Sequence, residues 1–66
     1  MNQSDVMLTA KQVRTRYGGV SDMALWRWLR DERLAFPRPI VINSRRYWKL
    51  SDLAQWEITQ ASRKVA

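Results

Sequence analysis

Two arginines and two large apolar side chains, spaced at helical intervals, are the residues here best equipped for chemistry. Within Ser21 to Asp31, Ser-Asp-Met-Ala-Leu-Trp-Arg-Trp-Leu-Arg-Asp, a rotation of roughly 100° per residue puts Leu25, Trp28 and Leu29 on one side of a helix. Met23, Trp26, Arg27 and Arg30 fall on the other. A solvated face ordinarily carries small charged groups of mixed sign, whereas this one interleaves guanidiniums with a thioether and an indole. Laid in the major groove of DNA, Arg27 and Arg30 would reach guanine edges or phosphates, and Met23 and Trp26 would lie against base or sugar surfaces. The same residues also fit an ordinary amphipathic helix with two solvated arginines and with Trp26 folded onto a neighbouring element.

The rest of the composition narrows the choice. Twelve Lys and Arg against six Asp and Glu leave a formal charge of +6, an excess that favours polyanions, nucleic acid first and an anionic membrane second. Histidine and cysteine are absent. That removes the usual zinc ligands, the commonest general base and any disulfide. A nucleophilic serine would have no histidine to activate it. A phosphate-cradling loop needs several glycines, and the only two, Gly18 and Gly19, share one turn. Asp31 and Glu32 are adjacent at a helix end and point apart. Neither catalysis nor a cofactor or metal is expected. No apolar run approaches the length of a membrane span, and Asp5 stands where a secretory signal would carry positive charge. The expectation is a soluble, cytoplasmic protein, with no membrane partner.

The elements that must hold the basic helix follow in order. Met1 to Met7 reads as polar and loose at its start, with Val6 to Leu8 apolar enough to lie against the body. Thr9 and Gln12 form a capping box that opens a helix from about Ala10 to Tyr17. Ala10, Val13 and Tyr17 share its inner face, leaving Lys11, Arg14 and Arg16 mostly outward. Gly18-Gly19 stops this helix and turns the chain. Ser21 caps the next helix, and Asp22 lies at the positive end of its dipole. That helix is expected to end near Asp31 to Arg33.

Pro37 and Pro39 then forbid helix. Ile40-Val41-Ile42 and Arg45-Arg46-Tyr47-Trp48 read as two strands around Asn43-Ser44. Asn43 tolerates positive φ, while Ser44 is a poorer second turn residue than glycine, so a slightly longer loop is also open. Either way Arg45 and Arg46 lie at or beside the tip. Ser51 is expected to cap a third helix with Leu53 and Trp56 inward, Ile58 off that stripe, and fraying from Gln60 on. Arg63 and Lys64 make a basic tail.

Taken together, Leu-Thr-Ala-Lys-Gln-Val at residues 8 to 13, Leu-Trp-Arg-Trp-Leu at 25 to 29, Phe-Pro-Arg-Pro-Ile at 36 to 40, Arg-Arg-Tyr-Trp at 45 to 48, and Ser51-Asp52-Leu53 running to Trp56 resemble the small DNA-binding proteins of phages and integrated elements. These are the AlpA-like regulators and the excisionases, distant relatives of the MerR-type DNA-binding domain. The resemblance covers about Leu8 to Trp56. It implies a mainly α fold with a small β-hairpin, a winged helix-turn-helix of MerR and excisionase type. One domain spans 1–66, ordered over about 6–60 with flexible ends.

By position, the resemblance implies that Ser21, Met23, Trp26, Arg27 and Arg30 line the major groove. Arg45 and Arg46 would be wing contacts in the minor groove, and Lys11, Arg14 and Arg38 backbone contacts. The implied function is that of an excisionase, or recombination directionality factor, that binds double-stranded DNA, bends it and directs a tyrosine-type integrase toward excision. It would be a monomer in solution that assembles cooperatively, head to tail, on DNA. An AlpA-like transcriptional regulator is the alternative within that class, and a protein-binding module using the Met23 and Trp26 surface is the alternative outside it. Two departures stand out: Asp31 to Ala35 is a residue or two longer than in many members, and Ser44 stands where glycine is common.

Overall fold

A computed structural model describes residues 6–63. The elements run β1 (Met7–Thr9), α1 (Ala10–Arg16), α2 (Asp22–Arg30), β2 (Ile40–Ile42), β3 (Arg45–Lys49) and α3 (Leu50–Arg63). The expectations for the residues before Val6, and for Lys64, fall outside the described residues. Among the described residues, no helix is long and apolar enough to cross a membrane.

The local signals operate as the sequence predicts. Thr9 accepts from the Gln12 backbone N–H, and the Gln12 side chain accepts from the Thr9 N–H, closing the capping box. At the far end of α1, Gly18 and Gly19 adopt φ of +85° and +78°. That conformation lets the N–H groups of Gly19 and Val20 both reach the Arg14 carbonyl. Ser21 then caps α2 through Oγ, which accepts from the Ala24 N–H at 3.0 Å. Asn43 and Ser44 both take left-handed φ, 51° and 65°, as a two-residue type I′ turn requires, so the longer loop is not needed.

Four expectations are corrected. The hairpin is not alone: β1 pairs antiparallel with β3, giving a three-stranded sheet of order β1-β3-β2. The domain is therefore mixed α and β, and β3 is a central strand. Helix α2 ends at Arg30, because Asp31 turns extended and its carboxylate accepts from the Arg33 and Leu34 N–H groups, an Asx turn that competes with a further helical turn. Helix α3 begins at Leu50, so Ser51 lies inside its first turn instead of capping it. It also continues through Arg63 without stopping at Gln60, and the Arg63 guanidinium donates to the Arg33 carbonyl at 3.3 Å.

Five side chains form the buried core: Val13 from α1, Leu25 from α2, Phe36 from the loop, Trp48 from β3 and Leu53 from α3. Around Phe36, the rings of Tyr17, Trp28, Trp48 and Trp56 pack at centroid distances of 4.8–6.4 Å, mostly edge to face. Leu29 and Trp28 from the predicted α2 stripe lie half-buried against this cluster. Two of the indoles also serve as anchors. Trp48 Nε1 donates to the Pro37 carbonyl and Trp56 Nε1 to the Leu34 carbonyl, each at 2.9 Å. The loop from α2 to β2 is thus held at two interior points, Leu34 and Pro37, and this restrains where the hairpin starts relative to α2.

Candidate nucleic-acid interface

On α2, the side opposite Leu25 carries Met23, Trp26, Arg27 and Arg30, and all four are exposed. Met23 is 58% exposed and Trp26 49%, so Trp26 is not folded into the body. Arg30 lies one helical turn beyond Trp26, and its guanidinium carbon stands over the indole, 4.7 Å from the ring centroid. This stack holds a cation and an aromatic surface together in one orientation. Asp22, Met23 and Trp26 line an open groove of about 290 Å³ at the N-terminal half of this face. Ser21 is exposed, its Oγ employed as the cap acceptor.

Strand β3 stands next to that helix end, and a single ion pair ties the two. The Arg46 guanidinium donates to Asp22 Oδ1 at 2.8 Å and lies 5.7 Å from the centroid of the Trp48 ring. Alternation along β3 puts Arg46 and Trp48 on the core side of the sheet, with Arg45 and Tyr47 on the opposite side. The two adjacent arginines therefore have different positions. Arg45 pairs across the turn with Ile42 and is exposed, whereas Arg46 braces the hairpin against α2. Beyond the core, strand β2 carries its three β-branched side chains exposed, so this end of the hairpin projects from the body.

The remaining basic residues divide. Lys11, on the first turn of α1, lines one groove of about 430 Å³ together with Arg45, Arg46 and Tyr47. Lys11 and Arg45, thirty-four positions apart in the chain, thus border the same groove. Arg14 is half-buried, and its Nε donates to the Val20 carbonyl at 3.1 Å, bracing the turn between the two helices. Arg38 is exposed on a different groove, with Asp52, Gln55, Trp56 and Arg63, so it does not join Lys11, Arg45 and Arg46. Among the described residues, no three potential metal-ligating side chains come together.

No family model, curated protein or solved structure matches this chain. The site therefore has to be read from its own geometry.

One polar cluster that the sequence did not reveal joins the end of α1 to α3. Glu57 on α3 receives Arg16 Nε at 2.6 Å, Arg16 Nη2 at 2.8 Å and the Tyr17 hydroxyl at 2.6 Å. The Arg16 hydrogen bonds hold the Glu57 carboxyl below its ordinary range, with the Tyr17 bond adding to the effect against partial desolvation. Burial and the neighbouring carboxylate push the Tyr17 phenol up, and the same carboxylate raises Arg16 further. The sequence reading left Arg16 outward and did not single out Glu57. Nothing within a few residues of either marks the pairing, because they are 41 positions apart. The same holds for Asp22 and Arg46, 24 apart.

Proposed function

We propose that this chain is a double-stranded DNA-binding protein built as a winged helix-turn-helix, with α2 in the major groove and the β2-β3 hairpin against the adjacent minor groove. The observation that carries this reading is the exposed α2 face, on which Arg27 and the Arg30–Trp26 stack stand beside a projecting hairpin bearing Arg45. A bidentate guanidinium suits the O6 and N7 of guanine, and the negative potential of a narrow minor groove attracts arginine. Lys11, which lines one groove with Arg45, suits the phosphates between those two contacts. The net charge of +6 supplies long-range attraction. A chain with no histidine or cysteine and this surface is a binding protein rather than an enzyme.

Within that class we take the chain as an excisionase of a phage or integrated element, binding neighbouring DNA sites cooperatively and directing a tyrosine-type integrase toward excision. Its support is the resemblance in motif order from Leu8 to Trp56. A transcriptional regulator would use the same surface and differ in where its DNA site lies. A second reading has its own observation: the exposed Met23 and Trp26 groove would also suit an apolar anchor from a protein partner.

Selection of bound duplexes from a randomised pool, followed by binding at graded salt, tests the proposal. Four to six neutralised phosphates predict that log affinity falls against log salt with a slope of about −4 to −5. A defined motif with successive complexes on adjacent copies is the expected result, and excision with the element's integrase then separates excisionase from regulator. Weak binding with no motif, or affinity indifferent to salt, would overturn the DNA reading.

A further inference from the structure

The Met23 and Trp26 groove is unusual for a face otherwise given to cations, and it deepens the DNA-binding reading on which this inference rests. We infer that this groove is a specificity pocket for the 5-methyl group of a pyrimidine in the major groove, as carried by thymine or by 5-methylcytosine.

Several observations on α2 converge on that ligand. Met23 and Trp26 are i and i+3, more than half and about half exposed, and they line a single groove of about 290 Å³ open to solvent. The third lining residue, Asp22, would repel DNA if its charge were uncompensated, but Arg46 engages its carboxylate at 2.8 Å. That ion pair offsets the negative charge at the rim of the groove. Trp26 is held by the Arg30 guanidinium at 4.7 Å, which orients the indole before any ligand arrives. Arg27 and Arg30 share the same exposed helix face, so hydrogen-bonding groups suited to purine edges flank an apolar pocket. In the major groove the feature of a base edge that is apolar and protruding is the C5 methyl. Guanidiniums beside an open apolar groove can therefore read a purine next to a methylated pyrimidine.

The shared chemistry leaves two sources, and three parallel selections distinguish them: one from a natural randomised pool, one from a pool with uracil in place of every thymine, and one with 5-methylcytosine in place of cytosine. Removing one methyl from a well-packed contact is worth about fourfold in affinity. If thymine is the ligand, the motif from the natural pool contains a thymine whose replacement by uracil weakens binding about fourfold. If 5-methylcytosine is the ligand, a methylated site binds about fourfold more tightly than its unmethylated counterpart. In either case Met23→Ala brings the ratio toward one while the circular dichroism spectrum stays that of the parent, Met23 being a surface residue; Trp26→Leu provides the second variant. A motif bound with equal affinity with and without every methyl overturns the inference and leaves the DNA reading intact. So does methyl discrimination undiminished in both variants, which would return Met23 and Trp26 to the protein-docking alternative. Failure to select any motif from any pool overturns both.

Discussion

Replacing Glu57 by Gln keeps the shape of the side chain and removes its charge, which isolates the contribution of the cluster joining α1 to α3. In the parent, two guanidinium N–H groups and one phenol O–H converge on the two carboxylate oxygens at 2.6–2.8 Å. Glutamine has a single acceptor oxygen, and its amide nitrogen cannot accept. At least one guanidinium N–H therefore loses its partner, while the Tyr17 hydroxyl can reorient to accept. A charge-assisted hydrogen bond contributes about 1.5–3 kcal/mol, but both side chains remain about one-third exposed (34% and 35%), so solvent screening brings the expected loss to about 1–2 kcal/mol. With an unfolding entropy of about 2.1 cal/mol/K per residue, 66 residues convert each kcal/mol into a fall of about 7 °C in melting temperature.

The pH dependence adds an independent check on that loss. The folded carboxyl lies below its ordinary 4.5, so its contribution is fully present above that value and is lost as pH falls through the lower folded value. Thermal melts followed by circular dichroism should separate parent and Glu57→Gln at neutral pH and bring them together in strong acid. Equal melting temperatures at neutral pH would refute the cluster as a stabilising contact. A gap that persists undiminished in acid would show that packing, and not charge, is responsible.

Other perturbations follow from the same geometry. Leu25→Ala empties a fully buried position and should cost about 2.7–5 kcal/mol, comparable with the whole stability of a domain this size, roughly 3–10 kcal/mol; Leu29→Ala, half-buried, should cost less, and urea midpoints in the reverse order would refute the core assignment. Ala35 holds φ of +54° without being glycine, so Ala35→Gly should raise stability by about 0.5–1 kcal/mol after the added freedom of the unfolded chain is subtracted; a lowered urea midpoint would mean that the Ala35 methyl makes a contact worth more than the strain. Arg27→Ala and Arg30→Ala should each lose about 1–3 kcal/mol of specific DNA affinity with the fold retained, and equilibrium binding to the selected motif unchanged in both variants would remove α2 from the major groove.

What was legible in the sequence was what neighbouring residues settle between themselves. The Thr9 and Gln12 box, the Gly18-Gly19 stop, the Ser21 cap and the two-residue turn at Asn43-Ser44 each depend on backbone groups within a few positions, so residue type and spacing suffice to predict them. The exposed α2 face was equally legible, because helical periodicity sorts Met23, Trp26, Arg27 and Arg30 away from Leu25 regardless of what Leu25 packs against. Strand β1 was not, since three residues carry too little alternation to signal a strand, and its pairing to β3 joins positions about forty apart. The destinations of the charged side chains were also decided by the tertiary structure. Arg14, Arg16 and Arg46 look alike along the chain, yet one braces a turn, one binds Glu57 and one binds Asp22. A long guanidinium side chain reaches whichever acceptor lies within its range, and for Arg16 and Arg46 only the packing of distant elements brings Glu57 and Asp22 near.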